Sequence, residues 1–189
     1  MIITTAYSSV LKKIVLIDAI VLGGLYTLRI TAGSIATDIE ISAWLLAFSM
    51  FFFLSLAFMK RYADLVLMKK NEHNKIAGRG YHIDDLGFVQ KLGITSGFIA
   101  MLVLAFYINS ARVIELYKSP TFIWFALPIL LYWLMRMWVV ANRGEMYDDP
   151  ILYAIRDKKT YIVMASLLII MLLASTVDAL TFYGLKILQ

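Results

Sequence analysis

Cations and carboxylates crowd together where long apolar runs end, and these residues are the ones able to do chemistry. The run KRYAD, Lys60 to Asp64, follows a stretch from Ala43 to Met59 that holds no charge. If a helix continues through it, Lys60 and Asp64 share a face at i, i+4, a salt bridge worth only about 0.2–0.5 kcal/mol. The same residues suit a phosphorylated ligand, with Lys60 and Arg61 meeting the phosphate and Asp64 a Mg²⁺ ion on its oxygens. Further on, GRGY, Gly78 to Tyr81, sets Arg79 in a flexible backbone fit for close approach to an anion, although a plain turn has the same composition. Asp84 and Asp85 follow it, and a second acidic pair, Asp148 and Asp149, precedes Pro150. Two adjacent carboxylates can ligate Mg²⁺, and they equally serve as caps and dipole partners of a helix that starts at the proline.

Charges within the apolar runs are costly in hydrocarbon and face a cavity or a partner. Asp18 and Arg29 are eleven residues apart, so on one helix they share a face but lie about 16 Å apart along the axis. They cannot pair directly, and each is expected to face the bundle interior. Arg136 lies near the end of its run, where it can snorkel to the interface. Trp124 and Trp138 suit interfacial anchors. His73 and His82 lie in a polar loop without an i, i+4 partner, which argues against zinc.

What must position these residues is a membrane bundle. Of the 189 residues, 61% are hydrophobic and 16% charged, against roughly 45–50% and 25% in a soluble domain. Disorder is excluded by that apolar excess, and the absence of Cys excludes disulfides, thiolate metal sites and a cysteine nucleophile. Five apolar stretches, approximately Ile14 to Ala36, Ala43 to Met59, Leu92 to Asn109, Thr121 to Ala141 and Tyr161 to Tyr183, each approach the ~20 residues needed to cross a bilayer. The loops Lys60 to Lys91 and Asn142 to Thr160 hold eleven of the eighteen basic residues and eight of the thirteen acidic ones. Basic loops face the cytoplasm by the positive-inside rule, so the net charge of +5 marks orientation rather than nucleic-acid binding. The expected fold is all-α: a single polytopic domain over 1–189 with about five transmembrane helices, its long charged loops cytoplasmic. Met1 to Val10 does not read as a signal peptide. Helical spacing from Arg61 to Met68, and the mixture of apolar and acidic residues from Met146 to Ile155, suggest short helices lying on the membrane face.

With these blocks in place, the chain resembles the C-terminal part of the UbiA prenyltransferase superfamily, in the branch similar to decaprenyl-phosphate phosphoribosyltransferase and its homologues fused to a phosphatase-like domain. The resemblance is carried by TTAYSSVLKK (Thr4 to Lys13), LIDAIVLGGLYTLRITAG (Leu16 to Gly33), SAWLLAFSMFFFLSLAFMKRYADL (Ser42 to Leu65), GRGY with Asp85 behind it, and RGEMYDDP. It implies part of a nine-helix membrane enzyme around a lateral cavity, with Mg²⁺ and a polyprenyl phosphate or diphosphate as cofactor and ligand, in a bacterial inner membrane. KRYAD stands where that family has its second polar motif, but without the paired Asp of aromatic prenyltransferases. The first motif of the family, an Asn-Asp with further spaced Asp residues, is absent from these residues. The resemblance therefore implies a fragment or one piece of a split protein, inactive alone, with an N-terminal half as partner.

From the residues and the resemblance together, the expected phosphate contacts are Lys60, Arg61, Arg79 and Arg29, and the expected metal ligands are Asp64, Asp84, Asp85, Asp148 and Asp149. Membrane lipid is an expected partner and nucleic acid is not. A different class of function is a non-catalytic membrane subunit or small transporter with Asp18 and Arg29 lining a pathway.

Overall fold

The computed structural model describes residues 14–38, 42–70, 80–147 and 149–176. All regular elements among them are helical. They are α1 (Ile17–Thr37), α2 (Ala43–Lys70), a 3₁₀ turn (Ile83–Asp85) running into α3 (Leu86–Ile108), α4 (Ala111–Leu116), a second 3₁₀ segment (Pro120–Phe125) running into α5 (Ala126–Asn142), α6 (Pro150–Arg156) and α7 (Lys158–Thr176). Five of these, counting each 3₁₀ segment with the helix it leads into, are long and apolar enough to cross a membrane. The chain is an all-α integral membrane bundle by the length and composition of these helices.

Local sequence explains where the helices start and stop. Asp149 accepts a hydrogen bond from the Ile151 amide (3.0 Å) and Pro150 occupies the first turn of α6, where its missing N–H has no partner to lose. Asp38 ends α1 in the left-handed conformation, its N–H bonded to the Ser34 carbonyl, a conformation that Asp tolerates better than most residues. At the end of α5 the chain turns at Gly144, whose φ is +67°.

α2 forms the centre, packed against α1, α3 and α5. Close approach comes from small residues, as expected where helices meet in an apolar solvent. Ser55 of α2 donates to the Gly93 carbonyl of α3 (2.7 Å) and accepts from the Trp138 indole of α5 (3.2 Å), tying three helices at one point. Trp138 is therefore buried in the core rather than anchored at an interface, whereas Trp124 is 42% exposed. The outer faces of α3 and α7 carry exposed Phe88, Phe98, Leu102, Ile162, Leu168 and Leu172, the surface a bundle presents to lipid.

Two expectations about local elements change. Arg61 to Met68 is not a separate surface helix: it is the last part of a 28-residue α2. Arg61, Tyr62, Ala63 and Leu65 are buried there, because the 3₁₀ turn at Ile83 and the ends of α3 and α6 wrap around it. Arg136 does not snorkel. Its guanidinium binds Asp157 through both terminal nitrogens, at 2.6 and 3.0 Å. Asp157 also caps α7 by accepting from the Thr160 amide and hydroxyl, each at 2.9 Å.

Candidate functional site

One end of the bundle gathers the start of α1, the end of α2, the start of α3, the end of α5 and the start of α7. At this basic end, KRYAD continues the α2 helix, so Lys60 and Arg61 point to neighbouring faces and Asp64 sits one turn beyond both. Lys60 Nζ lies 3.0 Å from Asp64 Oδ1, and Arg61 Nη1 donates to Asp64 Oδ2 at 2.9 Å. The other side of Arg61 meets α1: its Nε is 2.7 Å from Asp18 Oδ2. That contact is ionic, with angles short of a hydrogen bond. Asp18 is fully enclosed and Arg61 is 2% exposed.

Tyr81, from the loop before α3, completes the cluster. It is fully buried, donates to Asp18 Oδ1 at 2.6 Å and accepts from the Leu16 amide at 2.9 Å. Burial pushes the phenol well above its usual range, and the hydrogen bond and charge of Asp18 push it the same way, so Tyr81 keeps its proton as a donor. Leu16 holds φ +70° at this point, a sparsely populated conformation costing on the order of 1–3 kcal/mol. Asp18 accepts additionally from the Ala19 amide at 2.7 Å. Two carboxylates thus neutralise two cations, and three elements are bound to one another through groups that would be very costly to bury unpaired.

The fates of the other expected site residues differ. Arg29 does not face the interior: it is exposed on α1, its guanidinium 5.2 Å from the Tyr26 ring centre. Among the described residues, none of the cavities is lined by both Asp18 and Arg29. Asp85 accepts from the His82 amide (2.8 Å) in a capping box on the 3₁₀ turn, and Asp84, 88% exposed in its side chain, pairs with His82. Asp149 caps α6, as above. Arg79 and Asp148 lie outside the described residues. The structure thus joins Lys60, Arg61 and Asp64 with Asp18 and Tyr81, neither of which was expected in the phosphate site. Tyr81 stood in the GRGY run, but a tyrosine beside a glycine gives no hint of a partner 63 residues away.

For a Mg²⁺ ion the described residues do not fit. No group of three or more His, Asp or Glu converges among them, and both oxygens of Asp64 already face cations. Lys60 is different. It remains 24% exposed in its side chain and, with Asp149, lines a small recess whose walls are Leu22, Tyr26, Leu56, Pro150 and Ile151. Leu56, Pro150 and Ile151 also line an apolar cavity of about 310 Å³ that runs past Phe52 and Trp133 towards Tyr161 and Met164 of α7. A second apolar cavity, of about 500 Å³ between α1 and α2, has no charged residue in its lining.

Comparison with known proteins gives relatives but no biochemical activity. The chain is 35% identical over 164 residues to "Uncharacterized protein y4nM" of Sinorhizobium fredii (strain NBRC 101917 / NGR234), across 86% of this chain and 32% of that protein. It is 33% identical over 152 residues to "Nodulation protein NoeC" of Azorhizobium caulinodans, across 80% of this chain and 49% of that protein. The chain thus spans a third to a half of the length of these curated relatives. No family model and no solved structure matches it.

Proposed function

We propose that this bundle is the polyprenyl-phosphate-holding part of an integral membrane transferase similar to the UbiA type, seated in a bacterial inner membrane with its basic end in the cytoplasm. The stretch of the isoprenoid chain nearest the phosphate lies in the apolar cavity between α2, α5, α6 and α7, the remainder running out into lipid, and the phosphate or diphosphate meets Lys60 at its mouth. One observation carries this reading: an apolar cavity of about 310 Å³ shares Leu56, Pro150 and Ile151 with a narrow recess of about 10 Å³, too small for a phosphate itself, at whose rim a partly exposed lysine stands. An apolar tail with one anionic end matches that sequence of surfaces, since the tail replaces lipid contacts and the phosphate gains a charge-assisted hydrogen bond. Arg61, enclosed by Asp18 and Asp64, acts by holding α2 against α1 so that Lys60 is aimed at the recess. Lys60 would also stabilise negative charge gathering on a departing diphosphate. A Mg²⁺ ion would need carboxylates beyond the described ones, supplied by a partner such as the additional length of the relatives, and the transfer step belongs to that larger assembly.

The test is retention of undecaprenyl phosphate by the purified chain in phosphatidylcholine nanodiscs, read by native mass spectrometry. Lys60→Ala is expected to weaken retention about tenfold, the scale of one lost charge-assisted hydrogen bond. Ala154→Phe, which fills the cavity, is expected to abolish it. Retention that neither substitution changes, or no retention by the parent chain, overturns the proposal.

A further inference from the structure

A second cavity opens at the basic end, on the other side of α6. It measures about 490 Å³ and is lined by Glu145 and Tyr147 of the α5–α6 connection, Tyr153 and Arg156 of α6, and Asp157, Lys158 and Lys159 at the start of α7. α6 is the wall between the two spaces: Ile151, Ala154 and Ile155 face the apolar cavity, while Tyr153 and Arg156 face this one. Nothing in the reading of Lys60 uses it.

Among the described residues, neither of its lysines is held in an ion pair as Lys60 is by Asp64, and both are exposed. Asp157 is taken up by the bidentate contact with Arg136. Burial alone would raise its carboxyl, but the hydrogen bonds from Arg136 and Thr160 outweigh that and hold it below the usual carboxylate range. Among the described lining residues, Lys158 and Lys159 then stand beside Glu145. Lysines at the end of a membrane helix ordinarily do no more than fix its orientation. Here they border a walled space within the size range of small-ligand sites, and two tyrosines offer phenol donors and flat apolar surfaces beside the ammonium groups.

We propose that this cavity binds a phosphate-bearing group, with Lys158 and Lys159 as its charge contacts. The phosphate can come from the headgroup of an anionic membrane lipid or from a soluble phosphorylated compound, since both present the same oxygens at the same interface.

Two measurements on the full chain in nanodiscs separate the sources. In phosphatidylcholine discs, inorganic pyrophosphate is titrated and followed by ³¹P line broadening. In discs of equal parts phosphatidylcholine and phosphatidylglycerol, lipid carried over on ejection from the disc is identified by native mass spectrometry. A soluble ligand is indicated by saturable pyrophosphate binding, a lipid headgroup by selective retention of phosphatidylglycerol, and in either case K158Q/K159Q should weaken the signal about tenfold. The part of the signal lost in K158Q/K159Q should be the same whether or not Lys60→Ala is present, which keeps this site distinct from the one proposed for undecaprenyl phosphate. The double variant's melting temperature in phosphatidylcholine discs must match the parent's; if it does not, Lys158→Arg with Lys159→Arg, expected to retain binding, replaces it as the comparison with Lys158→Gln alone. Binding in neither arm, or binding indifferent to Lys158 and Lys159, overturns the proposal.

Discussion

Arg61 lies between Asp18 at 2.7 Å and Asp64 at 2.9 Å with almost no solvent contact. Removing Asp18 leaves Arg61 with Asp64 but strips the buried Nε side of its counter-charge and the Tyr81 hydroxyl of its acceptor, which is far more damaging than losing an exposed pair. Asp18→Ala is expected to destabilise the bundle by about 3–5 kcal/mol, read as a fall in the thermal unfolding midpoint in detergent. Replacing both members by apolar residues, Asp18→Leu with Arg61→Met, should recover much of that loss; no recovery would mean that the charges do more than satisfy each other. Tyr81→Phe deletes a donor to the same carboxylate and should cost about 1–3 kcal/mol. Asp157 gives a pH dependence. Its folded carboxyl is more acidic than the unfolded one, so its stabilising contribution is complete above about pH 4 and is lost as pH falls through the lower folded value. The melting-temperature gap between the parent and Asp157→Asn should therefore be open at pH 7 and close below about pH 4. At this scale the sequence showed part of the cluster. Lys60, Arg61 and Asp64 were legible because they are neighbours on one helix, whereas the Asp18–Arg61 and Asp18–Tyr81 contacts depend on how three distant segments meet. Arg29 differs from expectation for a related reason: periodicity does put it on the side of Asp18, but the buried residues of α1 are Asp18, Ala19 and Gly23, all in its first turns, so a shared face is not a shared interior.

Helix contacts rest on small side chains at defined places. A Cβ built on Gly93 would come within 2.3 Å of the Trp138 ring and 2.9 Å of Phe58, while Gly24 has open space around the same position. Gly93→Ala should thus cost about 1–3 kcal/mol through forced displacement of Trp138. Gly24→Ala should be neutral or slightly stabilising, since alanine favours the helix. Comparable melting temperatures for the two variants would contradict the packing described for α3 and α5. The five long helices were visible in the sequence because lipid demands a continuous apolar run of known length. Their ends were less so: α2 proceeds eleven residues past the last uncharged position, because its charged face is covered by other elements rather than released to water. The short α6 was foreshadowed by Asp149 and Pro150, and there the capping alternative is the one the hydrogen bond to Ile151 realises.

For the molecule as a whole, the concentration of basic side chains at one end makes orientation testable, and the lack of Cys makes single-cysteine labelling clean. With the basic end in the cytoplasm, Lys118→Cys should react with a membrane-impermeant maleimide added to intact cells, and Lys159→Cys should react only after lysis. The reverse pattern would invert the proposed orientation.

The length of α2 bears on where any phosphate can sit. At 28 residues it runs about 42 Å, some 12 Å more than the hydrocarbon layer. With the start of α2 set at the opposite hydrocarbon edge, Lys60, seventeen residues on, stands about 26 Å across, close to the depth at which acyl chains give way to headgroups. The helix is in effect a ruler: it fixes the height of the lysine against the bilayer, so the thickness of the surrounding membrane decides whether that ammonium stands among headgroups or is drawn below them. Lipids with longer acyl chains should therefore weaken capture of an anionic headgroup without any change in the protein.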